Sequence, residues 1–449
     1  MKNQTRQKHL SHSDFQSLSQ SIYSELSGDE SLALTLSAED SKFYRFNESR
    51  LRQATELTQI GLQLHLQKNR RQIKVSIFLG VSSEENKEHV LKILNQMRAD
   101  INELPEDPYF VAHQNYGVSS QISEPIETSI ATLEKICTEQ LKGLDLAGLY
   151  CEGPLTLGMS NSVGLDHWFE SAPFFFDYSL FHGFKAVKGG YAGAEFVDHK
   201  FSEKLAENQI FLERLKKPSM KIAPGKYRTY LAPAAANELI GMLAWGGFSY
   251  AALQRGQSSL GKIFKNEAKL SPLLTIEENF ENGLVPRFND LGELSPEKMV
   301  LIEKGVGVNL LTSSRSSVEY KVKSNGASMS ESFRSPKVLA GTLETKDILK
   351  ELHTGLYLSN LHYLNYSDMP GGRVTGMTRY ACFWVENGEI IAPIEDLRFD
   401  ESLYHCLGAG LIALTKETEH FPETSTYFSR RVGTSECPGF LIDQFTFTL

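Results

Sequence analysis

The segment 379–394, RYACFWVENGEIIAPI, constrains the fold of this 449-residue chain more than any other stretch. Two runs rich in aromatic and β-branched residues flank Asn387-Gly388. Asn and Gly tolerate the positive φ that a two-residue type I′ turn requires, and the twist of that turn matches the strands it joins. So short a connection allows only antiparallel pairing of 379–386 with 389–394. The C-terminal part of the chain is therefore predicted to be largely antiparallel sheet. Residues 233–253, PAAANELIGMLAWGGFSYAAL, are predicted to form one helix with Leu239, Ile240, Leu243, Trp245, Phe248 and Leu253 on more than one face. A helix apolar on several sides is buried on several sides. The expected class is α+β: an N-terminal strand-and-helix layer, then a largely antiparallel β domain with this one buried helix.

Upstream, Phe15, Leu18, Ile22 and Leu26 share a face of a helix expected over 13–26, with Ser13 and Gln16 as a capping box. Segments 32–36, 56–67 and 72–79 alternate as strands, and Lys68-Asn69-Arg70 reads as a hairpin turn. Ser82 or Ser83 opens a helix whose buried stripe is Val90, Leu94, Met97 and Ile101. Further on, helices are expected over 125–141 and 202–215, with strands at 155–161, 173–181, 191–197 and 227–231. Segment 312–336, rich in Ser and charge, reads as a long surface loop, and 347–353 as a short helix. These readings divide the chain into 1–116, 117–220 and 221–449.

Lys and Arg number 46 against 55 Asp and Glu, a net charge of −9, so no basic face for a nucleic-acid backbone is indicated. No apolar run is long enough to span a membrane, and the N-terminus lacks the apolar core of a signal peptide. The five cysteines, Cys137, Cys151, Cys382, Cys406 and Cys437, are scattered without a CxxC pair, which fits a reducing cytoplasm.

Within the apolar helix, Asn237-Glu238-Leu239-Ile240-Gly241-Met242 has the outline of a hydrolytic zinc helix. Zinc hydrolases place two His on such a helix beside a Glu that serves as general base. Here Asn237 and Met242 offer an amide and a thioether, both poor zinc ligands. His353, His362, His405, Cys406 and Cys437 follow no ligand spacing. No GxSxG, GxxxxGK[ST] or GxGxxG motif is present, and Lys188-Gly189-Gly190 reads as a turn. The segment 366–378, YSDMPGGRVTGMT, is glycine-rich and holds Asp368, Gly371, Gly372 and Arg373. It reads either as a contact site for a peptide or partner, with Asp368 and Arg373 as a charge pair, or as a connection between strands.

Several blocks together resemble the TldD/PmbA family, also called the modulator-of-DNA-gyrase or microcin-processing peptidase family. They are Asn161-Ser162-Val163-Gly164-Leu165, Pro224-Gly225-Lys226-Tyr227 with Leu231-Ala232-Pro233, Ser258-Ser259-Leu260-Gly261-Lys262, and Val374-Thr375-Gly376 with the segment 383–390. The closing segment 438–448 adds to them. In the catalytic branch the helix carries HExxxH, and a Cys near the C-terminus completes a zinc site. Carried over, the two His positions fall on Asn237 and Met242, and the Glu on Glu238. Cys437 lies in the region of the third ligand but lacks the family's surrounding glycine motif, so that role is not transferred.

The resemblance implies the non-catalytic TldE/PmbA-like branch, with no cofactor and no metal. It implies pairing with a TldD-type catalytic subunit in a chamber where unfolded peptides are cleaved, and no direct contact with nucleic acid. Two alternatives remain open from the residues: a homo-oligomeric peptide- or protein-binding module, and a hydrolase with a metal site rebuilt from His353, His362, His405 or Cys437. A partner for Glu238 could come from its helix terminus, from Arg373 or Arg379, or from another subunit.

Overall fold

The computed structural model describes residues 10–80, 82–123, 133–135, 139 and 142–448. The chain is α+β, built on two sheets. The first contains β1 (Ser31–Asn47), β2 (Arg50–Lys68), β3 (Arg71–Phe78), β4 (Val118–Ile122), β5 (Asp145–Glu152), β6 (Leu155–Asn161), β7 (Asp166–Ser171), β8 (Phe174–His182) and β9 (Lys185–Gly193). β1 is its spine, pairing antiparallel with β2 along one edge and with β6 and then β5 along the other. Strands from both sides of Tyr116 share this sheet, so the division expected there falls inside it. Asn69 (φ 49°) and Arg70 (φ 58°) form the tight turn between β2 and β3, as their sequence suggests.

Two helices cover one face. α1 (His12–Tyr23) is capped by Ser11 and Asp14, not by Ser13 and Gln16, because the Ser11–Asp14 pair closes the reciprocal box one step earlier. α2 (Ser83–Asp100) is capped by Ser82. Phe15, Leu18 and Ile22 meet Leu34, Leu64 and Val90 in an apolar core. At the sheet's far end, α3 (Asp198–Leu215) lays Phe201 and Leu205 on Phe176 and Tyr178. The strand expected at 191–197 is instead β9, which places Lys188-Gly189-Gly190 inside a strand opposite Tyr178. A Cβ at Gly189 would lie 2.3 Å from the Tyr178 ring, so this glycine permits close ring packing and does not form a turn. The helix expected over 125–141 lies outside the described residues except at 133–135 and 139, where Leu133 is buried in this core.

The second sheet comprises β10 (Gly225–Leu231), β11 (Ile276–Asn279), β12 (Lys298–Glu303), β13 (Val306–Gly307), β14 (Pro336–Val338), β15 (Gly355–Asp368), β16 (Arg373–Glu386), β17 (Glu389–Pro393), β18 (Arg398–Ser402), β19 (Leu411–Pro422) and β20 (Thr434–Phe447). All its pairings are antiparallel except β10–β15 and β14–β20. The Asn387-Gly388 turn joins β16 to β17, with φ of 48° and 81°. The helix expected over 233–253 is broken in two: α4 (Pro233–Gly241) ends in a 3₁₀ turn, and α5 (Tyr250–Gln254) restarts after Gly246-Gly247. Gly246 takes φ 87°, and Ser249 caps the new helix through the Ala252 amide.

Segment 312–336 is an internal polar scaffold and not a surface loop. It contains α6 (Ser314–Tyr320) and is organised by Glu331, 2% exposed. The Glu331 carboxylate accepts hydrogen bonds from Ser249 Oγ (2.6 Å), Ala251 N (2.9 Å), Ser313 N (2.8 Å) and Ser313 Oγ (3.0 Å). Burial pushes its carboxyl up, but these bonds outweigh burial and hold it below the usual range. The segment is poor in large apolar residues because a buried carboxylate does much of the holding, with Ala327 and Phe333 alone packed on the C-terminal core.

The two sheets are tied by Arg430, which lies in the β19–β20 connection and is 6% exposed. Its guanidinium donates to Ser41 Oγ (3.2 Å), the Gly153 carbonyl (3.1 Å) and the Pro173 carbonyl (2.6 Å), all in the N-terminal half. A second polar chain joins the halves. Ser31 Oγ meets His113 Nδ1 (2.9 Å), His113 Nε2 meets His65 Nδ1 (3.1 Å), and His65 Nε2 meets Gln72 Oε1 (2.9 Å). Gln72 then donates to Asp107 (2.8 Å), which also receives Arg315 of α6 (2.6 Å).

Two outcomes follow for stability. Glu331→Ala leaves Ser249, Ser313 and two backbone amides without their acceptor and should cost about 3 kcal/mol in urea unfolding. An unchanged midpoint would show that water replaces the carboxylate. Burial holds both His65 and His113 well below the ordinary 6.5. Groups depressed in the folded state favour it above their unfolded pKa, so that stability is present above about pH 6.5 and declines as pH falls toward 4. The urea midpoint should therefore drop between pH 7 and pH 5, less steeply in His113→Gln; an equally steep drop in that variant would place the titration elsewhere.

Candidate functional site

α4 is set between the two sheets by short-range constraints. Pro233 at its first turn has the φ a helix start needs and no N–H to leave orphaned. The Ala232 amide donates to the Leu358 carbonyl of β15 (2.9 Å), fixing the entry from β10. Ala235 and Ala236 are fully buried, small enough to let the helix lie close to the sheet, and Leu239 and Ile240 fill the same core. The opposite side of α4 faces a cleft of about 640 Å³. Its floor is the first sheet, through Thr35, Leu157 and Met159. Its walls come from 285–290, 333–336 and both ends of the β19–β20 connection.

Asn237 and Glu238 line this cleft, followed by Ile240, Gly241 and Ala244. Asn237 Oδ1 accepts a hydrogen bond from Ser435 Oγ of β20 (2.8 Å). Glu238 is exposed to the cleft. Among the described residues no hydrogen bond or ion pair to its carboxylate is found, and the protein around it pushes its carboxyl above the usual range by desolvation. Neither arginine considered for it serves. Arg373 forms a forked pair with Asp400 (2.9 and 2.6 Å), and Arg379 lies over the Tyr380 ring (5.3 Å).

Met242 is not brought to the cleft. Five residues beyond Asn237, it is buried in the C-terminal core, and its carbonyl accepts from the Tyr366 hydroxyl (2.7 Å). The residue one turn beyond Asn237 on the cleft side is Gly241, which has no side chain to offer. One amide, one hydroxyl and one carboxylate are a poor donor set for zinc.

The glycine-rich segment is the β15–β16 turn. Gly371 N donates to Asp368 Oδ1 (3.0 Å), Gly372 adopts φ 65°, and Leu403 N donates to the Gly372 carbonyl (2.7 Å). The expected Asp368–Arg373 charge pair is not formed, because Asp400 of β18, diagonal to Arg373 in the strand register, takes its guanidinium. None of Asp368, Gly371, Gly372 or Arg373 lines the cleft. Cys437 is fully buried in β20, its thiol pushed up by desolvation. Among the described residues no three His, Cys, Asp or Glu side chains are grouped to hold a metal, and His353, His362, His405 and Cys437 are not assembled. The cleft's other members, including Ser435, Asp290, Glu423 and the floor residues, come from distant segments with no shared local pattern that sequence reading could detect.

If the lack of ligands on the cleft side is what withholds a metal, introducing them there should create binding. Asn237→His with Gly241→His places two imidazoles one turn apart around Glu238, and a Cβ at Gly241 meets open space. That double variant should bind one equivalent of zinc by titration calorimetry. Asn237→His with Met242→His should bind more weakly, since the second ring starts in the core. The reverse ranking would mean that the 3₁₀ turn reorganises around the metal.

Residues 224–449 match the profile of the PmbA/TldA metallopeptidase C-terminal domain. The metalloprotease PmbA of Escherichia coli O157:H7 is 30% identical over 188 residues, a segment spanning 39% of this chain and 39% of that relative. The crystal structure of TldE from Thermococcus kodakarensis superposes with a TM-score of 0.79 at 16% identity, over 97% of this chain and 100% of that one. A proposed modulator of a DNA gyrase from Thermotoga maritima gives 0.74 at 14% identity, over 97% and 99%. These last two likenesses concern the fold. The profile match, extending over half the sequence and containing α4 and the cleft walls, shows that the chain belongs to the PmbA/TldD family of metallopeptidase-related proteins.

Proposed function

We propose that this chain is a metal-free subunit of a heteromeric zinc peptidase that acts on unfolded peptides, and that it helps to enclose the proteolytic chamber. The observation that carries this reading is the cleft face of α4. It presents Asn237 and Glu238 to the cleft, while Met242, where the catalytic helix of the family carries its second imidazole, is buried in the core. Without a metal-bound water, Glu238 has only bulk water to activate, a weak nucleophile. The cleft, by contrast, is intact, formed from both sheets, and large enough for a peptide segment. The four described cysteines are free and buried, and no described helix is long and apolar enough to cross a membrane. Both observations favour work in the cytoplasm.

The test is reconstitution with a homologue that retains HExxxH. The purified chain alone should hold no stoichiometric zinc and cleave no unfolded peptide. Co-expressed with the homologue, it should elute as a complex with chelator-sensitive activity above that of the homologue alone. Zinc-dependent cleavage by the lone chain, or a stable homodimer that ignores the homologue, would reject the proposal.

A further inference from the structure

The cleft has a chemical character that its family membership does not explain. Its apolar surface comes from Leu157, Met159, Ile240, Val285, Phe288 and Phe333. Its ionisable members are Glu238, Asp290, Glu423 and Arg334. Arg334 is not available to a ligand. Its guanidinium donates to the carbonyls of Pro286 (3.3 Å), Phe288 (2.7 Å), Arg287 (3.1 Å) and Gly326 (3.3 Å) and to Ser295 Oγ (2.5 Å), and it stacks over the Phe280 ring. The carboxylates are far less committed. Asp290 accepts one bond, from Met329 N (2.8 Å), and Glu423 accepts one, from Ser425 N (2.8 Å). All three acids are exposed, with no Lys or His among the described lining residues. The uncommitted charge in this groove, which mixes apolar side chains with neutral polar ones such as Asn237, Asn289 and Ser435, is therefore negative.

We propose that this cleft binds a short apolar peptide segment bearing one positive charge, a basic side chain or a free N-terminal ammonium, seated against Glu238. The inference rests on the reading of the chain as a peptide-handling subunit and specifies what its own cleft selects. Apolar walls supply burial without direction, while the half-enclosed carboxylates set the sign of the charge that is accepted. A cation beside Glu238 also removes the cost of its desolvated charge, which no protein group among the described residues offsets. An acidic segment meets a lining in which three carboxylates outweigh the one guanidinium of Arg334, and is disfavoured.

The probe is a set of fluorescein-labelled pentapeptides titrated into the full-length protein by anisotropy. Four are needed: acetyl-Leu-Phe-Lys-Leu-Phe, its Gln and Glu counterparts, and the Gln peptide with a free amino terminus. The Lys peptide should bind about tenfold more tightly than the acetylated Gln peptide, a size expected of charge pairing in a partly desolvated groove, and the Glu peptide more weakly than either. Tight binding of the free-amine Gln peptide would assign the terminal ammonium as the preferred cation; tight binding of the Lys peptide alone would assign the side chain. Glu238→Gln, nearly isosteric and on the cleft surface, should abolish the preference of the Lys peptide over the Gln peptide. Equal affinities for Lys, Gln and Glu peptides, or a preference that survives Glu238→Gln, would overturn the proposal. This readout needs no catalytic partner. Selective binding without complex formation would uphold the cleft and reject the subunit reading, and complex formation without selectivity would do the reverse.

Discussion

The site depends on one buried arginine. Arg430 belongs by sequence to the C-terminal sheet, yet it donates its guanidinium hydrogen bonds to Ser41, Gly153 and Pro173 of the N-terminal half. A buried guanidinium is tolerated only when its donors are satisfied, so these acceptors fix where the β19–β20 connection lies. That connection in turn supplies Glu423, Thr424, Val432 and Gly433 to the cleft wall. An apolar core shared by both sheets, with Phe46 and Phe176 of the first and Ala381 and Phe383 of the second, brings them together, and Arg430 adds the polar tie beside the cleft.

α4 shows how a helix is seated by two different sets of contacts. Its core side packs through two alanines that allow close approach, then Leu239 and Ile240. Its cleft side carries one carboxylate and a hydrogen bond that Asn237 accepts from Ser435. The polar groups are thus arranged to satisfy one another and the apolar ones to pack. Neither arrangement requires an ion for stability.

Much of the architecture was legible where a local rule acts alone. The Asn69-Arg70 and Asn387-Gly388 turns, β6, the Ser82 cap and the helix start at Pro233 all follow from backbone preferences within a few residues. The misreadings arose where a distant group overrules local pattern. Gly246-Gly247 looked tolerable inside a helix, but Ser249 supplies a new cap and the chain turns. Segment 312–336 looked like solvent-exposed loop because its apolar content is low, yet Glu331 organises it from within. Gly189 looked like a turn residue until the Tyr178 ring is placed against it. The cleft itself could not be read locally, since its floor and roof are separated by about two hundred residues of sequence between Thr35 and Asn237. Family likeness identified α4, but it could not show that Gly241, and not Met242, faces the cleft.

The Arg430 tie also has a temporal meaning. Its amide reaches Glu39 across 391 residues of chain, and the guanidinium's other acceptors likewise lie far upstream. In synthesis from the N-terminus, the first sheet can assemble while the cleft has a floor and no far wall. Only after the last strands emerge can Arg430 dock and enclose the site. An incomplete chain therefore exposes Leu157 and Met159 without the acidic rim that would restrict what binds there. The newly made protein passes through a stage in which its binding surface is present but not yet selective.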